Sequence, residues 1–273
     1  MTTALTFTLD LEDHRARRDG PGRHGDITLA LLDWLDTLAV RGTFFVVGEV
    51  AAADPALVKR VAARGHEVAL HSWDHAPLTA TSPARFRDDT QRGRALLEDL
   101  TGQRVRGYRA PVFSLTPASR YAVGILAELG FDYSSSVLAA RNPLHGYPGL
   151  PATPFRWAEG LIEIPVPLAG VGPWRLPYLG GVYLRYLPLT LIEALRARAP
   201  RNELAWTYCH PYDFDTQEAF TPIRGAAWWV SVVLWFRRGA TRARLARLLG
   251  PGSAPPIAAR LDGGEFADLP VVP

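Results

Sequence analysis

His71 and His75 stand four residues apart in His71-Ser72-Trp73-Asp74-His75, directly after Gly65 to Leu70, a run that reads as a buried strand. Positions i and i+4 share one face of a helix, and a turn at a strand end can aim two imidazoles at one point equally well. Two neutral imidazoles are good ligands for a borderline divalent ion such as zinc. A hydrolytic metal site adds a third ligand, usually a carboxylate, and keeps a position open for water. Thr8-Leu9-Asp10-Leu11-Glu12-Asp13 offers that carboxylate. Asp10 and Glu12 share a strand face if the strand runs that far; Asp13 lies on the other face or starts the loop. Two neighbouring carboxylates suit a divided role, one on the metal and one free as a base.

Further along, Arg109 follows another strand in Tyr108-Arg109-Ala110-Pro111-Val112. An Arg at a strand end can hold a carboxylate ionised and aimed. Pro111 fixes the turn, so that the Val112 N–H is a candidate oxyanion donor. His210 precedes Pro211 at the end of a late strand and is the candidate acid. Each of these residues alone has a plainer reading: a chance pair, a solvated acidic strand end, a surface ion pair, a core histidine. It is the company they keep that raises the hydrolytic reading.

The elements that must position these residues follow one grammar. Strand-like runs at 4–9, 43–47, 66–70, 104–108, 131–137 and 204–209 alternate with helix patterns opened by Asp54-Pro55, Ser82-Pro83 and Thr116-Pro117 and closed by Gly65, Gly102 and Gly130. Strand, capped helix, strand is the pattern of parallel βαβ units. The chemical residues fall where strands yield to loops, the edge at which α/β folds build sites. Residues 142–187 are rich in Pro and Gly and read as a substrate-loop region. The expected division is a barrel over 1–220 and a helical extension over 221–273. Within the extension, Ala226 to Phe236 holds Trp228, Trp229 and Trp235, and arginines follow to Arg247. Residues 226–247 read either as a peripheral membrane or partner contact, or as a helix packed on the barrel with its arginines in water. The second reading is preferred because the apolar and basic parts are consecutive.

At 273 residues and 48% hydrophobic composition the chain can bury a full core. The net charge is +3, with Lys59 the only lysine and the arginines dispersed, which speaks against a nucleic-acid partner. A single cysteine, Cys209, excludes an internal disulfide framework. No secretory signal pattern and no apolar run of spanning length is visible, so a cytoplasmic location is expected.

In order, the segments Thr8 to Asp13, His71 to His75, Arg109-Ala110-Pro111 and His210-Pro211 resemble the successive motifs of the polysaccharide deacetylases, the NodB-homology carbohydrate esterases. Gly107 to Ser114 and Asp132 to Ser136 are similar to segments of the branch associated with exopolysaccharide export. The resemblance covers about residues 4 to 215. It implies an α/β fold, a distorted (β/α) barrel of the NodB-homology type with fewer than eight regular strands. It implies a divalent metal, zinc being the expected choice, held by His71, His75 and one acidic residue. Asp10 matches the catalytic base, Arg109 its tether and His210 the general acid. The implied substrate is an N-acetylated glycan, and the products are acetate and an amine. Trp73, Pro111 and Tyr208 are then candidate substrate contacts. The first motif of the family has two adjacent Asp, whereas here Leu11 intervenes. The metal carboxylate is therefore Glu12 or Asp13: alternation favours Glu12, loop placement Asp13. Two other readings are hydrolysis of small cyclic amides, as by allantoinase-like relatives on the same fold, and a sugar-binding barrel without catalysis.

Overall fold

The computed structural model describes residues 4–14, 22–142, 145–171, 174–200, 204–222, 227–250 and 252–273. Parts of two expected features, residues 143–144 and 172–173 of the loop region and Ala226, lie outside that set. The architecture is mixed α/β, with one sheet of eight strands in the order β1-β2-β3-β4-β5-β7-β6-β10. These are β1 (Thr8–Leu11), β2 (Thr43–Val46), β3 (Glu67–Leu70), β4 (Gly107–Tyr108), β5 (Tyr133–Ser134), β6 (Phe155–Trp157), β7 (Ile162–Glu163) and β10 (Val271–Val272). Neighbours pair in parallel except β6 with β7. Helices α1 (His24–Thr37), α2 (Gly48–Ala53), α3 (Pro55–Ala63), α4 (Pro83–Thr101) and α5 (Tyr121–Glu128) connect the parallel strands.

The punctuation residues act where their chemistry predicts. The Asp54 carboxylate accepts the Leu57 N–H at 3.1 Å and the Ser82 hydroxyl accepts the Arg85 N–H at 3.3 Å. Gly102 ends α4 in a left-handed conformation, φ 65°.

Several strands are shorter than the apolar runs that announce them, because side chains take the ladder's place. The N–H groups of Ser136 and Val137 go to the Glu163 carboxylate at 2.7 and 2.9 Å, so β5 ends at Ser134. The Val105 N–H goes to Glu98 at 3.0 Å, just before β4. Residues 204–209 run beside β1 as isolated bridges, Thr6 to Trp206 and Leu9 to Cys209, with the Thr8 N–H donated to the Thr207 hydroxyl at 3.1 Å. They curl the sheet past β1 without closing a regular barrel.

Alternation along the strands divides two cores. Leu9, Leu11, Phe44, Val46, Val68 and Leu70 face the helices, whereas Phe45, Ala69, Tyr133, Ile164, Trp206 and Tyr208 pack together on the inner side.

The 142–187 region holds β6, β7 and a separate hairpin of β8 (Leu168–Val171) with β9 (Trp174–Pro177), then opens α6 (Gly181–Tyr186). After α7 (Leu189–Ala197), the last part of the chain contains α8 (Trp228–Trp235), α9 (Thr241–Leu249) and α10 (Ile257–Asp262). Residues 221–273 also reach into the sheet, through β10 on β6 and an Ala254 bridge to Thr6. Among the described residues no helix is long and apolar enough to cross a membrane.

Candidate active site

Because β1, β3 and β4 are parallel, their carboxyl ends lie at one edge, and the 204–209 segment delivers His210 to that edge. Asp10 sits in β1 on the inner face. Its Oδ1 accepts from Arg109 at 2.6 Å, and Thr8, two residues back on the same face, accepts from the same guanidinium nitrogen at 2.8 Å. Arg109 is fully buried. It donates to the Ser135 hydroxyl at 3.1 Å and lies 3.8 and 4.1 Å from the ring centroids of Phe45 and Trp206. A cation so enclosed is held by its counter-charge and by two π faces.

His71 and His75 lie in a loop, not on a helix, so the turn geometry holds the pair. Ser72 and His75 take φ values of 61° and 63°. The loop is pinned by the Ser72 hydroxyl accepting the His75 N–H, by the Asp74 carboxylate accepting the Ala76 N–H, and by the first N–H groups of α2 bonding Ser72 and Trp73 carbonyls. The two imidazole centroids are 5.0 Å apart. His71 is buried, and its Nδ1 is bonded to the Arg109 carbonyl at 2.8 Å, so Nδ1 carries the hydrogen and Nε2 presents a lone pair. Burial pushes its pKa down to about 4 against the opposing pull of Asp10, so the ring is neutral at pH 7.

Glu12, His71 and His75 each place a ligand atom within 4.8 Å of the others. The Glu12 carboxylate contacts His75 and lies 4.0 Å from His71 Nε2. Burial raises its pKa, but His75 overrides this and brings it to about 2. Of the two carboxylates left open above, Glu12 is in the cluster and Asp13 is not. Asp13 follows the end of β1, with Oδ2 3.5 Å from His24. A cavity of about 130 Å³ adjoins the cluster, lined among others by Glu12, Asp13, His24, Glu49 and His75. The donor set of two imidazole nitrogens and one carboxylate, buried at one side and open at the other, fits a divalent ion.

His210 closes the arrangement. Its Nε2 is 3.9 Å from Asp10 Oδ2, the same oxygen that is 3.9 Å from His71 Nε2. Its own N–H and Nδ1 both bond Asp213 Oδ2, at 2.9 and 3.0 Å. Burial pulls the His210 pKa down, but the Asp213 bond and the charges of Glu12, Asp213 and Asp10 reverse this and raise it to about 9. Asp213 in turn lies 3.3 Å from Nε of the buried Arg185. Asp213 is not among the residues singled out from the sequence; its place three residues after His210 across a Pro, a capping pattern, is the signal that could have found it. Arg185 left no local signal, since its partner lies in another segment. Asp132 is elsewhere, held by Arg104 and Arg106 at 2.6 and 2.5 Å.

The candidate substrate contacts are arranged less uniformly. Val112 is 49% exposed and takes φ 49°, followed by Phe113 at 52°. A β-branched residue in the left-handed region stores strain, of the kind found at functional turns. The turn brings Phe113 edge-on to Tyr208, centroids 5.4 Å apart, and Pro111 is buried beneath it. The Trp73 ring is covered by the Arg92 guanidinium at 3.6 Å and packs so closely on Gly48 that a Cβ there would stand 2.5 Å from it. Much of that ring is therefore occupied from within the chain.

Residues 18–134 match the model of a family described as polysaccharide deacetylase, and residues 135–254 match a domain of unknown function. His71, His75 and Arg109 fall in the first segment and His210 and Asp213 in the second, while Asp10 and Glu12 precede the first. A peptidoglycan-N-acetylglucosamine deacetylase from Listeria monocytogenes is 33% identical over 107 residues, 39% of this chain and 22% of that one. A chitooligosaccharide deacetylase from Bradyrhizobium is 41% identical over 71 residues, 26% of this chain and 32% of that one. The chain thus spans between a fifth and a third of these relatives. The fold is shared with a Mycobacterium smegmatis protein assigned as a polysaccharide deacetylase, with a TM-score of 0.67 and 22% identity over 100% of this chain and 93% of that one.

Proposed function

From the premise that residues 18–134 belong to the polysaccharide deacetylase family, we propose that the chain is a metal-dependent N-deacetylase acting on an N-acetylated amino sugar within a glycan. The carrying observation is the convergence of three groups on one opening: the Glu12–His71–His75 cluster, the Asp10–Arg109 pair and the His210–Asp213 pair. Glu12, His71 and His75 would hold the ion, with zinc the reading the donor set favours. When bound, it supplies Lewis-acid polarisation and a more acidic water.

The chain's own groups account for the proton movements. Arg109 fixes one oxygen of Asp10 and leaves Oδ2 facing the cleft, where it takes a proton from the attacking water. His210 Nε2 carries a proton, because Nδ1 is committed to Asp213, and delivers it to the departing nitrogen. Water adds to the acetamide carbonyl, the carbon–nitrogen bond breaks, and acetate and the amine leave. The Val112 N–H is the assigned oxyanion donor, with Pro111, Tyr208 and Trp73 shaping the acetyl side.

The test is acetate release from N-acetylglucosamine oligomers and peptidoglycan, with allantoin as the cyclic-amide control. Activity should fall on chelation and return with added zinc. Hydrolysis of allantoin alone, or activity indifferent to chelator, would overturn the reading.

The raised His210 pKa sets a second expectation. A group raised in the folded state contributes stability that is complete below its ordinary 6.5 and lost as the pH climbs through about 9. Activity that needs the His210 proton should fall on the same limb. Asp213→Asn removes the carboxylate bonded to Nδ1, so the alkaline limb of kcat/KM should move down by about one unit or more. An unmoved limb in that variant would show that Asp213 does not set the acid.

A further inference from the structure

The exposed apolar residues of α8 lie in one line. Trp228, Trp229, Val232, Trp235 and Phe236 are exposed, Trp228 by 72% and Trp229 by 58%. Their spacing, i, i+1, i+4, i+7 and i+8, is one helical face about 120° wide. The opposite residues, Val230, Ser231, Val233 and Leu234, turn toward the protein. Phe220 extends the stripe, its ring edge-on to Trp235 at 5.6 Å. The exposed face therefore carries no polar side chain apart from the indole N–H groups, and that of Trp235 is already donated to the Glu218 carbonyl at 3.0 Å.

The segment that carries this stripe has charged residues of one sign. From Ala219 to Arg260 the chain contains seven arginines and no carboxylate. Four have partners within the fold: Arg238 with Glu218, Arg244 with the Arg185 and Leu187 carbonyls, Arg247 with Glu193 and Arg260 with Glu265. Arg237 is exposed directly beside Phe236, and Arg242 is half-exposed as the second residue of α9.

We propose that α8 is an interfacial docking element that seats its Trp–Phe stripe in the headgroup region of an anionic lipid bilayer, with Arg237 and Arg242 against the lipid phosphates. Tryptophan is the residue whose rigid, amphipathic ring fits the membrane–water boundary. An apolar helix face flanked by cations binds such a surface by burial and by charge together. A glycan is a poorer occupant, since recognition of sugar hydroxyls needs polar side chains that this face lacks. A second copy of the chain would bring the same cationic flank against itself.

The surface is tied to the site. The carbonyls of Leu234 and Phe236, at the end of α8, accept from Arg185 at 2.9 and 2.8 Å, and Arg185 is the partner of Asp213.

The test is sedimentation of the full chain with vesicles of phosphatidylcholine alone and of phosphatidylcholine mixed with phosphatidylglycerol. Wild type should sediment with the mixed vesicles about tenfold more strongly than with the neutral ones, and less so as salt rises. W228S/W229S, which alters two exposed side chains, should lose about tenfold or more of that binding while its thermal unfolding is unchanged. R237Q should lose mainly the preference for anionic lipid. Protein that stays in the supernatant, or a W228S/W229S variant that binds as wild type does, would overturn the proposal. So would Trp-dependent adsorption to insoluble glycan without lipid binding, or a dimer that W228S/W229S dissolves.

Discussion

Asp10→Asn should lower acetate release by about 10³-fold, within the range that loss of a positioned base produces, and should leave bound zinc at the wild-type ratio. The two halves of this expectation come from one piece of geometry. Asp10 Oδ1 is committed to Arg109 and Oδ2 lies 3.9 Å from both His71 and His210, while the cluster of possible ligands is Glu12, His71 and His75 without Asp10. The amide oxygen of Asn can still accept from Arg109, but the buried guanidinium loses its counter-charge, so stability should fall by about 3–5 kcal/mol and the rate is to be measured where the variant remains folded. What the variant lacks is an oxygen able to take a proton. Metal analysis by mass spectrometry beside the rate measurement separates the roles. A variant that loses zinc along with activity would make Asp10 a ligand and would break the division of labour between Asp10 and Glu12.

How far these roles were legible from the chain depends on the range of the interaction concerned. The strand-exit positions of Asp10, His71, Arg109 and His210 could be read because alternation, capping residues and Gly stops are local signals, and the parallel register then aligns the exits. Between Glu12 and Asp13, loop placement and pleat alternation point to different residues; Glu12 lies in the cluster with His71 and His75 and Asp13 lies beside His24, which supports Glu12 as the proposed ligand. The strand-like runs 104–108 and 131–137 are longer than the strands they form, Gly107–Tyr108 and Tyr133–Ser134. Glu98 and Glu163 capture backbone N–H groups there from other segments, which no local pattern announces. Arg185 was invisible for the same reason, as its contacts span the distance to Asp213 and to the end of α8. The C-terminal segment exposes the other limit of pattern reading. One side of α8 turns to the protein while Trp228 and Trp229 face outward, and Arg238 and Arg244 have internal partners while Arg237 is exposed, a mixture that consecutive apolar and basic runs do not announce.

His71→Ala should abolish both stoichiometric zinc and measurable deacetylation. The His71 ring is the most enclosed of the three candidate ligands, and its Nδ1 bond to the Arg109 carbonyl fixes the direction in which Nε2 points. Alanine there leaves Glu12 and His75, which contact each other directly, with no third donor on the buried side. It also leaves the Arg109 carbonyl without its donor, at a cost of about 1–3 kcal/mol, so thermal unfolding should fall by a few degrees without loss of the fold. Asp13→Ala is the informative companion. It removes the carboxylate of the residue next to Glu12, which contacts His24 and lies outside the ligand cluster, and it should keep zinc and activity near wild type. Full zinc occupancy in His71→Ala, or its loss in Asp13→Ala, would place the ion somewhere other than between Glu12, His71 and His75, and the reaction scheme built on that cluster would fall with it.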